Sequence, residues 1–188
     1  MGVRLKESAG MPGKPIAATT AVMPESAREK HSDTGELYRN LDRRCGVIDT
    51  PMTKVAYGFL GAAGPVSLTG MDVTVRNEFA VVAVSSLAGS PIDGSENLLV
   101  TAVGRADNTG CRYNEDHTVQ LDAGHGPIRV EAIEARISIK TSQKLLRVLA
   151  INPDGFVIGY IEGEYDRGAY TFEIGGKYAS MYYLIQKR

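Results

Sequence analysis

The chain has 188 residues, 43% of them apolar, with 21 basic and 22 acidic side chains and a formal net charge of −1. That apolar share is enough to bury a real core in one ordinary domain or two very small ones. The near-zero charge gives no basis for binding nucleic acid or an anionic membrane, which select clustered cations, and no apolar run approaches the roughly 20 residues that span a bilayer.

Residues 1–30 scatter Gly2, Gly10, Pro12, Gly13, Pro15 and Pro24 among small residues and read as a linker or a poorly ordered arm. Residues 24–30 would tolerate a short helix. Arg4 and Lys6 are followed by no continuous apolar stretch, so no secretory leader is visible and the compartment stays open. From His31 the texture changes, and residues 31–188 read as the folded part. Ser32-Asp33-Thr34-Gly35 signals a turn, and Glu36-Leu37-Tyr38 then alternates as a strand does. Residues 45–49 form a short strand closed by Thr50-Pro51, and residues 55–60 another, broken by the glycines at 61 and 64. Two period-two segments follow at 66–68 and 73–75. The run FAVVAVSSL over residues 79–87 is continuously apolar and β-branched, the pattern of a strand buried on both faces.

Residues 98–103 are the next core strand. After a long polar excursion, residues 128–133 alternate, placing Ile128, Val130 and Ala132 on one face and Arg129, Glu131 and Ile133 on the other. Residues 135–139 and 145–151 continue as strands. Asn152-Pro153-Asp154-Gly155 then carries the turn chemistry of a hairpin into residues 156–161. Residues 169–174 and 181–185 close the chain, and in the latter Met181, Tyr183 and Ile185 share a face, which places a tyrosine in the core. Short strands at this spacing, with no long helical period and no βαβ alternation, specify an all-β antiparallel sandwich, jelly-roll or immunoglobulin-like. It is either one sandwich or two small β units, with a break conceivable near residues 110–127.

The polar excursion within residues 98–135 concentrates the chemistry. Asn114-Glu115-Asp116-His117 sets carboxylates beside an imidazole, but neighbours on extended backbone point in opposite directions and do not converge. The same geometry makes Glu131 and Glu134 a poor pair for glycoside cleavage, which needs two carboxylates across one bond. His125 lies between Gly124 and Gly126, where it could reach a ligand hydroxyl, and His31 stands far off in sequence. Cys45 and Cys111 fit no close-spaced zinc pattern and read as isolated thiols or a pair in an oxidising compartment. No phosphate loop, dinucleotide fingerprint or nucleophile elbow is present, so no catalytic residue, metal or cofactor is assigned. Sugar rings stack their C–H faces on aromatic planes and need polar groups nearby. Tyr113 beside Arg112 and Asn114, with His125, has that composition, and Tyr38 beside Arg39 and Asn40 offers a second platform.

Several segments carry a resemblance. SDTGELY at residues 32–38, GVIDTP at 46–51, YGFLG at 57–61, FAVVAVSSLAGSPI at 79–92, LLVTAVGRADNTGCRYN at 98–114 and GPIRVEAIEA at 126–135 come in order, followed by LRVLAINPDG and FEIGGKYASMYYLI. Together they resemble the β-rich accessory region that follows the catalytic barrel in a group of large bacterial glycoside hydrolases. The likeness covers most of residues 31–188, and the family pattern has Glu where Asp107 stands. It implies that the acid and nucleophile glutamates belong to a (β/α)₈ barrel of about 250 residues, more than this chain holds, and no catalytic residue transfers. The expectation is therefore a non-catalytic module that binds polysaccharide or oligosaccharide, or packs on a catalytic barrel. The alternative is a small stand-alone glycoside hydrolase built on Glu115, Asp116, His117 and His125.

Overall fold

The computed structural model describes residues 27–188. The arm expected over residues 1–30 lies outside the described residues up to 26. Glu29 and Lys30 already form a strand, so the end of that segment is neither arm nor helix.

Strands β1 (Glu29–His31), β2 (Leu37–Asn40), β3 (Cys45–Asp49) and β4 (Thr53–Gly58) make a meander, followed by one helical turn, α1 (Leu60–Ala63), where the sequence predicted only a break. Next come β5 (Val66–Leu68), β6 (Met71–Val75), β7 (Ala80–Ser86) and β8 (Asn97–Val103). The polar excursion supplies β9 (Ala106–Thr109), β10 (Arg112–Tyr113), β11 (Gln120–Asp122) and β12 (His125–Val130). The remainder is β13 (Ala135–Lys140), β14 (Leu146–Ile151), β15 (Val157–Ile161), β16 (Gly163–Asp166), β17 (Ala169–Ile174) and β18 (Tyr182–Lys187).

These strands form an antiparallel β-sandwich. One sheet has nine strands in the order β1-β2-β3-β4-β7-β8-β18-β14-β15, the other five in the order β16-β17-β13-β6-β5. Alternation decides which side chains meet between them. Ala80, Val82 and Val84 of β7, Leu98, Val100 and Ala102 of β8, and Tyr183 and Ile185 of β18 pack against Met71, Val73, Ile137, Ile139 and Phe172 of the smaller sheet in one continuous core. Strands β8 and β13, on either side of the polar excursion, belong to different sheets but share that core. The core tyrosine is Tyr183, fully buried, whose hydroxyl accepts hydrogen bonds from the backbone N–H of Ser180 (2.9 Å) and Gly175 (3.3 Å). Burial pushes its pKa up, and the two N–H donors partly offset that.

Two sequence expectations need correction, and one strand has no expectation attached to it. Strand β7 alternates buried and half-buried residues, so only one of its faces lies in the core. The alternation over residues 128–133 does not run on as a strand. Strand β12 ends at Val130, all of its residues are exposed, and Ile133 instead turns down into the core beneath Gly104. Strand β16 carries no apolar alternation and is created by pairing with β17, where Gly163 leaves room for the Tyr170 ring.

A buried ion pair ties one end of the sandwich. Lys54 shares the inward phase of Ala56 and Gly58 on β4, and its side chain is 7% exposed. Its ammonium donates to Asp49 Oδ1 and to the Thr50 carbonyl (3.2 Å), while Asp49 Oδ2 accepts from the backbone N–H of Thr69 (2.7 Å). Asp49 thus links the large sheet to the β5–β6 turn of the small one. Burial would raise its pKa, but the Lys54 and Thr69 hydrogen bonds outweigh that and hold it below the usual carboxylate value.

Candidate functional site

The polar excursion folds into two short ribbons, β9 with β12 and β10 with β11, which project from the sandwich as one arm. Gly104 and Arg105 form its root, where Glu131 accepts from Asn77 Nδ2 (3.0 Å) and the Arg105 backbone N–H (3.2 Å); these donors hold its carboxyl below the usual range. Hydrogen bonds from Tyr113 to Asp107 (3.1 Å) and from Asn108 to the Ala123 carbonyl (2.9 Å) join the ribbons.

The arm carries four of the five residues proposed from sequence. Arg112 pairs across the ribbon with Asp122 at 3.5 Å. Tyr113 stacks on His117 with ring centroids 5.5 Å apart and planes 14° from parallel. The Tyr113 pKa is pushed up to about 12, first by its hydrogen bond with Cys111 and then by Asp107. Asn114 is committed to the tight turn: its Oδ1 accepts from Val119 N–H (2.9 Å) and its Nδ2 donates to Thr118 (3.0 Å). His125 sits on β12 with its Nδ1 2.7 Å from the Gly126 carbonyl. Each of these four side chains therefore makes at least one polar contact within the arm. Tyr38 lies elsewhere, on β2, where its ring lies 4.7 Å from that of His31 with the planes tilted by 44° and its hydroxyl donates to Glu29 (3.1 Å).

The carboxylate–histidine cluster is equally dispersed. Asp116 is held by the Thr118 hydroxyl (2.8 Å) and backbone N–H, which lower its pKa. Among the described residues no three His, Cys, Asp or Glu side chains converge as metal ligands do. Cys45 and Cys111 are both free and half-buried.

What the arm does expose is apolar. Ile128 is 66% and Leu121 63% exposed, and Val119 and Val130 are also open to solvent. A larger apolar surface, missed from sequence, is the outer face of the nine-stranded sheet. Strand register puts Leu37, Ile48, Val55, Ala83, Thr101, Tyr182 and Ile151 in one row across seven strands. A parallel row holds Ser85, Leu99, Leu184, Leu149 and Tyr160. Antiparallel sandwiches normally turn polar side chains outward. Here the described residues supply no third layer, and of these two rows only Leu149 is buried. The charged residues that register places on this face, Lys30, Arg39 and Arg147, are all cationic and stand towards its margins. The available signal was the continuous apolar run at residues 79–87, which asks for cover on two sides when the second sheet provides one.

No family model, curated protein or solved structure matches this chain.

Proposed function

We propose that this chain is a non-catalytic β-sandwich module that packs on a neighbouring catalytic domain of a carbohydrate-active enzyme. The observation that carries this reading is the apolar outer face of the large sheet. Seven strands at about 4.8 Å spacing and about 17 Å of strand length present a face on the order of 500–600 Å². That is about two thirds of the roughly 800 Å² each partner contributes to a standard interface. The marginal cations select a partner with carboxylates around its apolar patch. The enzyme setting rests on the motif resemblance. Polysaccharide binding by Arg112, Tyr113, Asn114, His125 and Tyr38 is the weaker half of the expectation, since each of these side chains already has a polar partner within the chain.

The test is co-purification with a (β/α)₈ catalytic domain encoded beside it. A 1:1 complex is expected, weakened at least 100-fold by the double substitution Leu99→Lys/Leu184→Lys, which alters only outward-facing positions. A complex indifferent to those substitutions, or none at all, would overturn the reading.

A further inference from the structure

We infer that the cleft at the Lys54 end of the sandwich is a binding site for a neutral saccharide unit, at a place distinct from both the arm and the outer sheet face. The cleft encloses about 500 Å³ between the β3–β4 turn, the β5–β6 turn, the β7–β8 loop and the end of β13, within the range of small-ligand sites. Its rims are tied to one another. Ile92 N–H donates to the Pro51 carbonyl (2.9 Å), Lys140 N–H to the Gly70 carbonyl (2.8 Å), and Ser142 N–H to the Asp93 carbonyl (2.9 Å). The Asp49 carboxylate closes the remaining side through Thr69. Such cross-ties hold the cavity open in one shape, so little ordering is needed when a ligand enters.

The lining fixes the ligand class. An ammonium has three donors, and Lys54 directs two of them to Asp49 and Thr50, leaving one at the buried end of the cleft. At the mouth, Lys140 and Asp93 line the same cavity, and neither side chain has an ion-pair or hydrogen-bond partner among the described residues. Two ammonium groups and two carboxylates sum to no net charge, which favours neither an anion nor a cation. Groups that donate and accept at once suit this set best, and those are hydroxyls: they accept from Lys54 and Lys140 and donate to Asp93. Pro51, Pro91 and Ile92 supply an apolar wall for the C–H face of a ring. A polyhydroxylated ring uses both kinds of surface; a simple anion uses one.

The experiment is ¹H–¹⁵N NMR titration of the whole chain with glucose, xylose and mannose, with glucuronate as the anionic control and glycine as the zwitterionic one. A neutral sugar is expected to move the amide signals of Thr69, Gly70, Asp93 and Lys140 saturably, and to leave those of residues 112–125 in place. Asp93→Asn and Lys140→Ala, both at the solvent-facing mouth where folding does not depend on them, should each weaken binding about tenfold. Tyr113→Ala should not change it. Binding of glucuronate or glycine alone, binding abolished by Tyr113→Ala, or no saturable shift with any sugar would overturn the inference. None of these results depends on whether the outer face docks a partner domain.

Discussion

Lys54 and Asp49 make a sharp test of how the sandwich is closed at one end. Replacing Asp49 by Ala strands a nearly buried ammonium with only the Thr50 carbonyl, and removal of one partner from such a pair costs about 3–5 kcal/mol. Replacing Lys54 by Met is milder. Asp49 keeps the Thr69 N–H and is 20% exposed, so the loss is close to one charge-assisted hydrogen bond, about 1.5–3 kcal/mol. In the double variant Asp49→Ala/Lys54→Met no charge is left unpaired, and the total should fall below the sum of the singles by at least about 1.5 kcal/mol. The chain has no tryptophan, so urea unfolding is best followed by far-ultraviolet circular dichroism. The pH dependence has a fixed sign. Asp49 titrates lower in the folded state than in the unfolded chain, so its stabilisation is complete above the unfolded value, about 3.9. It is lost as pH falls through the folded value, and the Asp49→Ala variant should lack that acid-side loss. Additive single variants, with coupling under about 0.5 kcal/mol, would refute the claim that this pair is desolvated and mutually dependent.

Three further outcomes follow from single residues. Tyr183→Phe keeps the ring but removes the acceptor for Ser180 and Gly175 N–H, and should lower unfolding stability by about 2–3 kcal/mol in the same assay. Gly58→Ala should cost about 2–4 kcal/mol, because residue 58 has φ +112° and a Cβ there would overlap the Arg44 carbonyl oxygen. In a spectrophotometric titration at alkaline pH, a tyrosine step near 12 should disappear in Tyr113→Phe, and Cys111→Ala should move it down, since Cys111 is the main cause of its elevation.

Local pattern was sufficient wherever a strand buries one face against the other sheet. β6, β8, β13, β14 and β17 all appear in the sequence as apolar alternation, and the Asn152–Gly155 turn delivers the β14–β15 hairpin that its chemistry specifies. Pattern failed where tertiary placement decides. Residues 128–133 alternate as well as any strand, yet the chain leaves the ribbon after Val130 and buries Ile133, a change of direction that periodicity does not encode. β16 owes its existence to its neighbour β17. The candidate site was legible only as composition: Tyr113, Asn114 and Arg112 do lie together, but whether their polar groups are free for a ligand depends on Asp107, Thr118 and Asp122, which a linear reading cannot pair with them. Nothing in the sequence marks Lys54 except its phase with Ala56 and Gly58, which points it inward. The apolar outer face was written most plainly, in a β7 sequence apolar on both sides, and was read as burial within the chain when only one side is covered.

The central claim is that this outer face is made to be covered. The most direct measurement is a ¹H–¹⁵N NMR map of the chain titrated with the proposed partner, a (β/α)₈ catalytic domain encoded beside it. The account predicts that perturbed amides cluster on β4, β7, β8, β18 and β14, centred on Val55, Ala83, Leu99, Leu184 and Leu149, with the five-stranded sheet unaffected. Perturbations confined to β5, β6, β13, β16 and β17 would contradict it.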